Sequence, residues 1–240
     1  MNRLTRSAIL TPAAALCLAL CAAAVANAQE PTPAPAAPPA RQPDAPKKAN
    51  ARAAEAERAA EPFDAATPKE MAARCVKLET EAGVIEIEML AETAPETARN
   101  FLNLVATGFY DTTTFSRVVP GFVVQGGNLR TREQLTPGLA ERARRTVPDE
   151  PNEVRHVRGV VSMARSDEPN SATTNFFFLV GEAGHLDGKF AAFARVRSGM
   201  DVVDAINKAP VEGEKPVKPV RLNRATVAEC APAPKPEDEK

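Results

Sequence analysis

The chain has 240 residues, with 30 Lys and Arg against 31 Asp and Glu and a formal net charge of -1. That length holds one ordinary domain with extensions, and the missing basic excess speaks against a dedicated nucleic-acid binder. Composition is skewed, with 22 Pro, 1 Tyr and no Trp, and the Pro and Ala concentrate at the N-terminus, so the skew belongs to a segment rather than to the fold.

Arg3 and Arg6 precede an apolar run from Ala8 to Val25, which ends in Ala26-Asn27-Ala28. A positive start, an apolar stretch and an A-x-A site together read as an export signal over 1–28, removed after Ala28. The competing reading is a membrane anchor, since the run is near the lower limit of about 17 residues for crossing a bilayer. The small-residue site decides for cleavage, so no stable membrane insertion is expected afterwards. Cys17 and Cys21 each follow a Leu, which disfavours lipidation. The expected location is periplasmic or secreted, an oxidising compartment in which the mature chain keeps Cys75 and Cys230.

Residues 29–73 read as a Pro- and Ala-rich disordered linker, extended and PPII-like in its first half. From Lys47 to Ala60 the only apolar residues are alanines, so no stripe is available for docking. Pro62 and Pro68 are expected to break any helix there. A folded domain is expected over 74–230. Val76, Leu78 and Thr80, then Val84, Ile85, Ile87 and Met89, alternate with charged residues on either side of Gly83, the pattern of a β-hairpin with one wet face.

Ala94-Pro95-Glu96-Thr97 opens a helix, with Pro95 at its first position and Glu96 at the positive end of its dipole. Ala98, Phe101, Leu102 and Val105 share a face, and Gly108 ends it. Short strands follow over 114–119, 122–125, 159–164, 176–180 and 191–196. A second helix covers 200–207 and buries Met200, Val203 and Ile206, and a last strand spans 220–227. Many short strands with two helices suggest a closed barrel with helical lids. Arg142, Arg144 and Arg145 read as a solvated loop face, and 231–240 as a disordered tail.

Several chemistries lack their parts. The two histidines, His156 and His185, have no Cys or carboxylate at metal spacing, so no metal or other cofactor is expected. There is no G-x-S-x-G nucleophile turn. Residues 184–190 look faintly like a phosphate loop but fail its glycine spacing, and Phe190 stands where Ser or Thr is needed.

The informative stretch is Phe115-Ser116-Arg117-Val118-Val119-Pro120-Gly121-Phe122-Val123-Val124-Gln125-Gly126-Gly127. Around it stand Ala94-Pro95-Glu96-Thr97-Ala98-Arg99-Asn100-Phe101, Gly108-Phe109-Tyr110, Ser162-Met163-Ala164-Arg165, Asn170-Ser171-Ala172-Thr173 with Phe176-Phe177-Phe178, and Leu186-Asp187-Gly188-Lys189 with Phe193. These blocks, in this order, resemble the cyclophilin-type peptidyl-prolyl cis-trans isomerases, and the Ala164-Arg165 to Thr173 form looks like the bacterial, periplasmic branch. The resemblance implies a mainly β fold: a closed eight-stranded antiparallel β-barrel capped by two α-helices. It implies Arg117 as the catalytic donor, with Gln125 orienting it. It also implies substrate binding by Phe115, Phe122, Val123, Arg165, Asn175, Phe177, His185, Leu186 and Phe190, with Phe115 packed beneath the pocket.

This sequence departs from the family pattern at Ser116 (often His), Asn175 (Gln), His185 (Trp or Phe) and Phe190 (His or Tyr). The change at His185 implies weak cyclosporin binding. In a barrel of this resemblance the first and last strands pair antiparallel, which implies a possible Cys75–Cys230 disulfide. The expected partners are proline-containing unfolded or exported polypeptides, with the chain itself a monomer and no nucleic acid involved. The competing reading is a non-catalytic peptide-binding module or holdase.

Overall fold

The computed structural model describes residues 59–231. The expected signal, most of the expected linker and the tail from 232 onward lie outside the described residues. Along the chain run α1 (Pro68–Ala72), β1 (Arg74–Thr80), β2 (Gly83–Met89), α2 (Pro95–Ala106), β3 (Thr113–Thr114), β4 (Arg117–Val119) and β5 (Val123–Gly126). Then come α3 (Pro137–Arg142), β6 (Val160–Met163), β7 (Phe176–Leu179), β8 (Ala192–Ser198), α4 (Met200–Asn207), β9 (Val211–Glu212), β10 (Lys215–Pro216) and β11 (Arg221–Glu229). Among the described residues no helix is long and apolar enough to cross a membrane.

Nine of the strands form one antiparallel sheet in the order β3-β11-β1-β2-β8-β6-β7-β5-β4. Its two edge strands, β3 and β4, are separated in sequence only by Phe115 and Ser116. The chain itself therefore joins the two edges. Phe115 N–H donates to the Val220 carbonyl on one side and Ser116 N–H to the Gln125 carbonyl on the other, both at 3.0 Å. The expected barrel takes the form of a strongly curled sheet with two main helices, α2 and α4. Its seam is closed by a chain segment and not by a ladder, so the single strand expected over 114–119 is broken in two.

Period-two alternation sorts the sheet into two faces. Val118, Val124, Val161, Phe176 and Phe178 point inward to the main core. Phe101 of α2 packs there against Tyr110, Phe176 and Phe193, with ring centroids 5.3, 5.2 and 4.9 Å away. Val123, Val160, Phe177, Leu179 and Ala192 form a second apolar cluster on the outer face. β6 and β7 are buried along their whole length on both faces, and the outer cluster is what gives the molecule a second, smaller floor.

The folded region begins earlier than Arg74, which corrects the expected linker boundary. Thr67 caps α1 in a capping box: its N–H donates to Glu70 Oε2 at 2.7 Å and its hydroxyl oxygen accepts the Glu70 amide at 3.3 Å. Pro68 is the first residue of that helix, where its missing N–H costs nothing, so it starts a helix and does not break one. Met71 is fully buried. Upstream, Asn103 of α2 accepts the Phe63 amide at 2.7 Å, and Arg99 Nη1 donates to the Phe63 and Ala66 carbonyls, each at 2.7 Å.

Arg142 corrects the solvated-face reading. Its side chain is 9% exposed; Nε donates to Glu61 Oε1 at 2.6 Å and Nη2 to Asn100 Oδ1 at 2.9 Å. Arg145 also reaches Glu61, at 3.4 Å, and only Arg144 keeps an exposed partner, Glu141. A neutral total charge says nothing about which arginine finds a half-buried carboxylate 81 residues upstream.

The turn at Gly184–Leu186 is fastened to β6 through a buried histidine. His156 Nδ1 lies 3.0 Å from Asp187 Oδ1 and Nε2 2.9 Å from Ser162 Oγ, while the His156 amide donates to the same Asp187 oxygen at 2.7 Å. With its proton on Nδ1 the ring donates to Asp187 and accepts from Ser162. The Ala183 amide closes the clamp on the His156 carbonyl at 2.8 Å.

Cys75 and Cys230 are joined in a disulfide with Cα atoms 4.8 Å apart. The β1–β11 register pairs Cys75 with Ala228, which puts Cys230 two residues along on the same face. The bond closes a loop of 155 residues, worth on the order of 4–5 kcal/mol in the chain-entropy model. The variant carrying Cys75→Ala and Cys230→Ala is expected to melt on the order of 10 °C lower; an unchanged melting temperature in calorimetry would contradict the stabilising role.

A second prediction concerns acid. The His156 amide, and after it the ring, holds the Asp187 carboxyl below the ordinary Asp value of 3.8. A carboxyl depressed in the folded state stabilises fully above its unfolded pKa, and that stabilisation is lost as pH falls through the folded value. Asp187→Asn should therefore be less stable than the parent at pH 7, with the gap shrinking below about pH 4. Urea melts at a series of pH values check this; a gap that stays constant down to the acid limb counts against it.

Candidate active site

The outer face of β4, β5, β7 and β6 carries a row of side chains set by strand register alone. Arg117 pairs with Gln125 across β4–β5, Gln125 with Phe177 across β5–β7, and Phe177 with Ser162 across β7–β6. Directly opposed residues on one face of a sheet are neighbours. The row thus runs from a cation, through an amide, to an aromatic ring, and ends in the hydroxyl that His156 holds.

Over this row lies a cavity of about 240 Å³, lined by Arg117, Phe122, Val123, Gln125, Ala164, Arg165, Phe177, His185, Leu186 and Phe190. Its floor is apolar: Val123, Phe177 and Leu186 are buried. Phe190 stands edge-on to Phe177, with centroids 6.0 Å apart, and His185 tilts over Phe122 at 5.6 Å. Arg165 lies over the Phe190 ring at 5.4 Å and donates to the Ser166 and Lys189 carbonyls at 2.9 and 3.4 Å. A second cavity of about 530 Å³ adjoins it, sharing Arg117, Gln125, Ala164 and Arg165 and adding Ser166, Ser171, Thr173 and Asn175.

Local backbone chemistry explains why these side chains stand where they do. Gly121 has φ 72°, which lets the β4–β5 turn close with Phe122 projecting over the groove. Asn207, the last residue of α4, holds that turn: its Oδ1 accepts the Gly121 amide at 2.8 Å, and its Nδ2 donates to the Val119 and Val123 carbonyls at 2.9 and 3.1 Å. At Gly127, φ is 83° and a Cβ would run into the Thr174 carbonyl, so the chain after Gln125 passes close against the segment that carries Asn175.

Arg117 is held on two sides. Nη1 donates to Gln125 Oε1 at 3.4 Å, while Nε and Nη2 donate to Glu214 Oε2 and Oε1 at 2.7 and 3.1 Å. The Arg117 guanidinium draws the Glu214 carboxyl below its ordinary range, first through these hydrogen bonds and then through its charge.

Nine of the residues expected to form the site therefore surround one cavity, and Asn175 lines the adjoining one. Its side-chain Oδ1 is buried without a hydrogen-bond partner in the protein. Phe115 is the exception among the expected binding residues. It is in the inner core, against Phe178 at 6.1 Å and beneath Gly126, and it lines neither cavity. The break between β3 and β4 is the reason: it upsets the alternation that would put Phe115 and Arg117 on one face. Glu214 and Asn207 join the site from outside the motif blocks. Glu212-Gly213-Glu214-Lys215 carries a turn signal, but nothing local links it to an arginine 97 residues away.

The arrangement offers an apolar socket the size of a small ring beside a fixed cationic donor. Among the described residues no group of three or more His, Cys, Asp or Glu is placed to hold a metal ion. The Ser162–His156–Asp187 contacts follow a nucleophile-base-acid order, but Ser162 and His156 are fully buried and no substrate could reach the hydroxyl.

The family model for cyclophilin type peptidyl-prolyl cis-trans isomerases matches residues 75–227. Peptidyl-prolyl cis-trans isomerase A of Dickeya dadantii is 36% identical over 165 residues, covering 63% of this chain and 83% of that protein. A peptidyl-prolyl cis-trans isomerase of Acinetobacter baylyi is 35% identical over 159 residues, covering 61% and 81%. Among solved structures, a cyclophilin type isomerase of Cryptosporidium parvum, crystallised in the presence of the dipeptide ala-pro, matches with a TM-score of 0.56 and 23% identity over 65% of this chain and 99% of that one. A cyclophilin of Hirschia baltica matches with a TM-score of 0.53 and 27% identity, over 63% and 73%. With a curled antiparallel sheet, an Arg–Gln pair over an apolar floor and a family match over more than half of its length, the chain belongs to the cyclophilin-type peptidyl-prolyl cis-trans isomerases.

Proposed function

We propose that the protein isomerises X-Pro bonds in exported polypeptides, with Arg117 as the donor that favours the twisted bond. The observation that carries this is the placement of Arg117 on the wall of a cavity floored by Val123, Phe177 and Leu186.

Prolyl isomerisation breaks no bond. It rotates an amide held planar by resonance, against a barrier of about 18–20 kcal/mol. At the top of the barrier resonance is lost and the prolyl nitrogen regains a lone pair. A donor aimed at that nitrogen stabilises the twisted state more than either planar one, which is what lowers a barrier. The proline ring sits against Phe177, Val123 and Leu186, with Phe122 and Phe190 as walls. The guanidinium of Arg117 presents its N–H groups in a fixed planar fork. Gln125, its cross-strand partner, orients it and can reach the substrate carbonyl. Asn175 and Arg165, in the adjoining cavity, are placed for the peptide backbone on one side of the proline. The reaction asks for no nucleophile, metal or titrating base.

The exported setting rests on two features. One is the N-terminal apolar run ending in Ala26-Asn27-Ala28, the form of a signal cleaved on export. The other is the Cys75–Cys230 disulfide, a bond that persists in oxidising compartments. Uncatalysed X-Pro steps last tens to hundreds of seconds, so unfolded chains arriving there are the clients this reading assigns. A passive holdase would use the same apolar floor but would gain nothing from an arginine pinned on two sides.

Arg117→Ala is expected to lower kcat/KM at least ~100-fold, or about 2.7 kcal/mol, the scale of one lost transition-state donor. A protease-coupled assay on a prolyl peptide measures it, and a variant as fast as the parent would refute the mechanism. A second prediction concerns the rim. His185 supplies less apolar surface than an indole and no fixed N–H, so cyclosporin should bind weakly and His185→Trp should tighten it. Tight binding by the parent in a calorimetric titration would contradict this.

A further inference from the structure

We infer that Glu214 is a positioning residue for Arg117: it grips one edge of the guanidinium so that the opposite edge faces the prolyl cavity. The inference rests on the isomerase reading and concerns how its donor is aimed.

A guanidinium presents its N–H groups in a rigid planar fork, and a carboxylate that takes two of them fixes the plane as well as the position. Glu214 takes Nε and Nη2 at 2.7 and 3.1 Å, and Gln125 takes Nη1 at 3.4 Å. The two supports have different origins. Gln125 is placed by the β4–β5 ladder, opposite Arg117. Glu214 comes from the turn of the β9–β10 hairpin, at the far end of the sequence from β4.

Backbone contacts bring that hairpin into place. The Glu214 carbonyl accepts the Val118 amide at 2.8 Å, one residue along from Arg117. β4 is an edge strand, so this bond satisfies an amide that the ladder leaves open. Gly213, at φ 64°, turns the chain just before Glu214. Main chain and side chain of a single residue thus both act on β4: the carbonyl docks the hairpin, and the carboxylate holds the side chain beside it.

The Arg117 and Glu214 side chains are 39% and 57% exposed. A pair that open contributes little to stability, so its consequence is orientation. Without the carboxylate, an arginine on the rim of an open groove has several rotatable bonds to order each time the bond twists. With it, the ordering is complete before substrate arrives, which is the advantage of a preorganised donor. The role therefore shows in the chemical step more than in substrate binding.

The test is steady-state isomerase kinetics, kcat and KM separated, on the parent and on Glu214→Ala, Glu214→Gln and Glu214→Lys. The inference expects Glu214→Ala to lower kcat about tenfold with KM within about twofold. Glu214→Gln should recover most of the loss, because its amide oxygen still accepts from the guanidinium; Glu214→Lys should lie below Glu214→Ala. The Arg117 Nε–H signal in a ¹⁵N spectrum should be protected from exchange in the parent and lose that protection in Glu214→Ala. Melting temperatures should stay together. Parental kcat in Glu214→Ala overturns the inference, as does a kcat loss that Glu214→Gln fails to rescue and that tracks a lowered melting temperature. A parent inactive on every prolyl peptide overturns the isomerase reading instead.

Discussion

Everything at the candidate site depends on the register of four strands. Arg117, Gln125, Phe177 and Ser162 stand in one line because β4, β5, β7 and β6 pair at those positions. A slip of one residue in any pairing would turn that strand's side chains to the opposite face. The slip is prevented from inside. Val118, Val124, Phe176, Phe178 and Val161 fill the main core, and moving any of them outward would expose a large apolar group, at about 1.5–3 kcal/mol each. The core thus sets the groove without contacting it. Arg117 and the apolar floor are the other half of the same alternation.

The loops add what register cannot. Phe122 projects from a turn that Asn207 holds at three backbone points, so α4 is both a lid on the barrel and the support of one groove wall. His185 and Leu186 project from a turn clamped through Asp187 and His156 to β6. Each wall is therefore tied back to the sheet by a half-buried or buried polar side chain bonded to main chain. Such bonds are directional and can specify a loop conformation where apolar contact alone leaves several.

Much of this was legible in the sequence because alternation and ordered motifs are local signals. The hairpin β1–β2, the helices α2 and α4 and the strands that bear the groove all announce themselves by period or by turn residues. Arg117, Gln125 and the apolar floor follow from the order of the motif blocks. What was not legible depends on long-range partners. Phe115, which the resemblance implies as a binding residue packed beneath the pocket, lies in the inner core under Gly126 and lines neither cavity, because the strand breaks at the seam. Pro68 reads as a stop in the sequence alone, whereas the capping Thr67 makes it a start. Arg142 reads as solvated from the neutral total charge, and nothing in the sequence points to Glu61, which lies in a stretch whose composition suggests a linker. Glu214 and Asn207 were invisible for a similar reason: each acts on the β4–β5 hairpin from more than 80 residues away.

The buried Ser162–His156–Asp187 set shows how environment, not residue identity, decides what polar groups do. In an open cleft that order of contacts would activate a hydroxyl. Here the hydroxyl and the imidazole have no exposure at all, and the two ring nitrogens are occupied, one by Asp187 and one by Ser162. A group with no access to substrate and no unpaired site can only hold things together. The reaction above it needs no proton transfer, so nothing is lost by spending the domain's one buried histidine on structure. Arg117 shows the converse. It is half-exposed and held by both Glu214 and Gln125, and a guanidinium acts as a donor without giving up a proton.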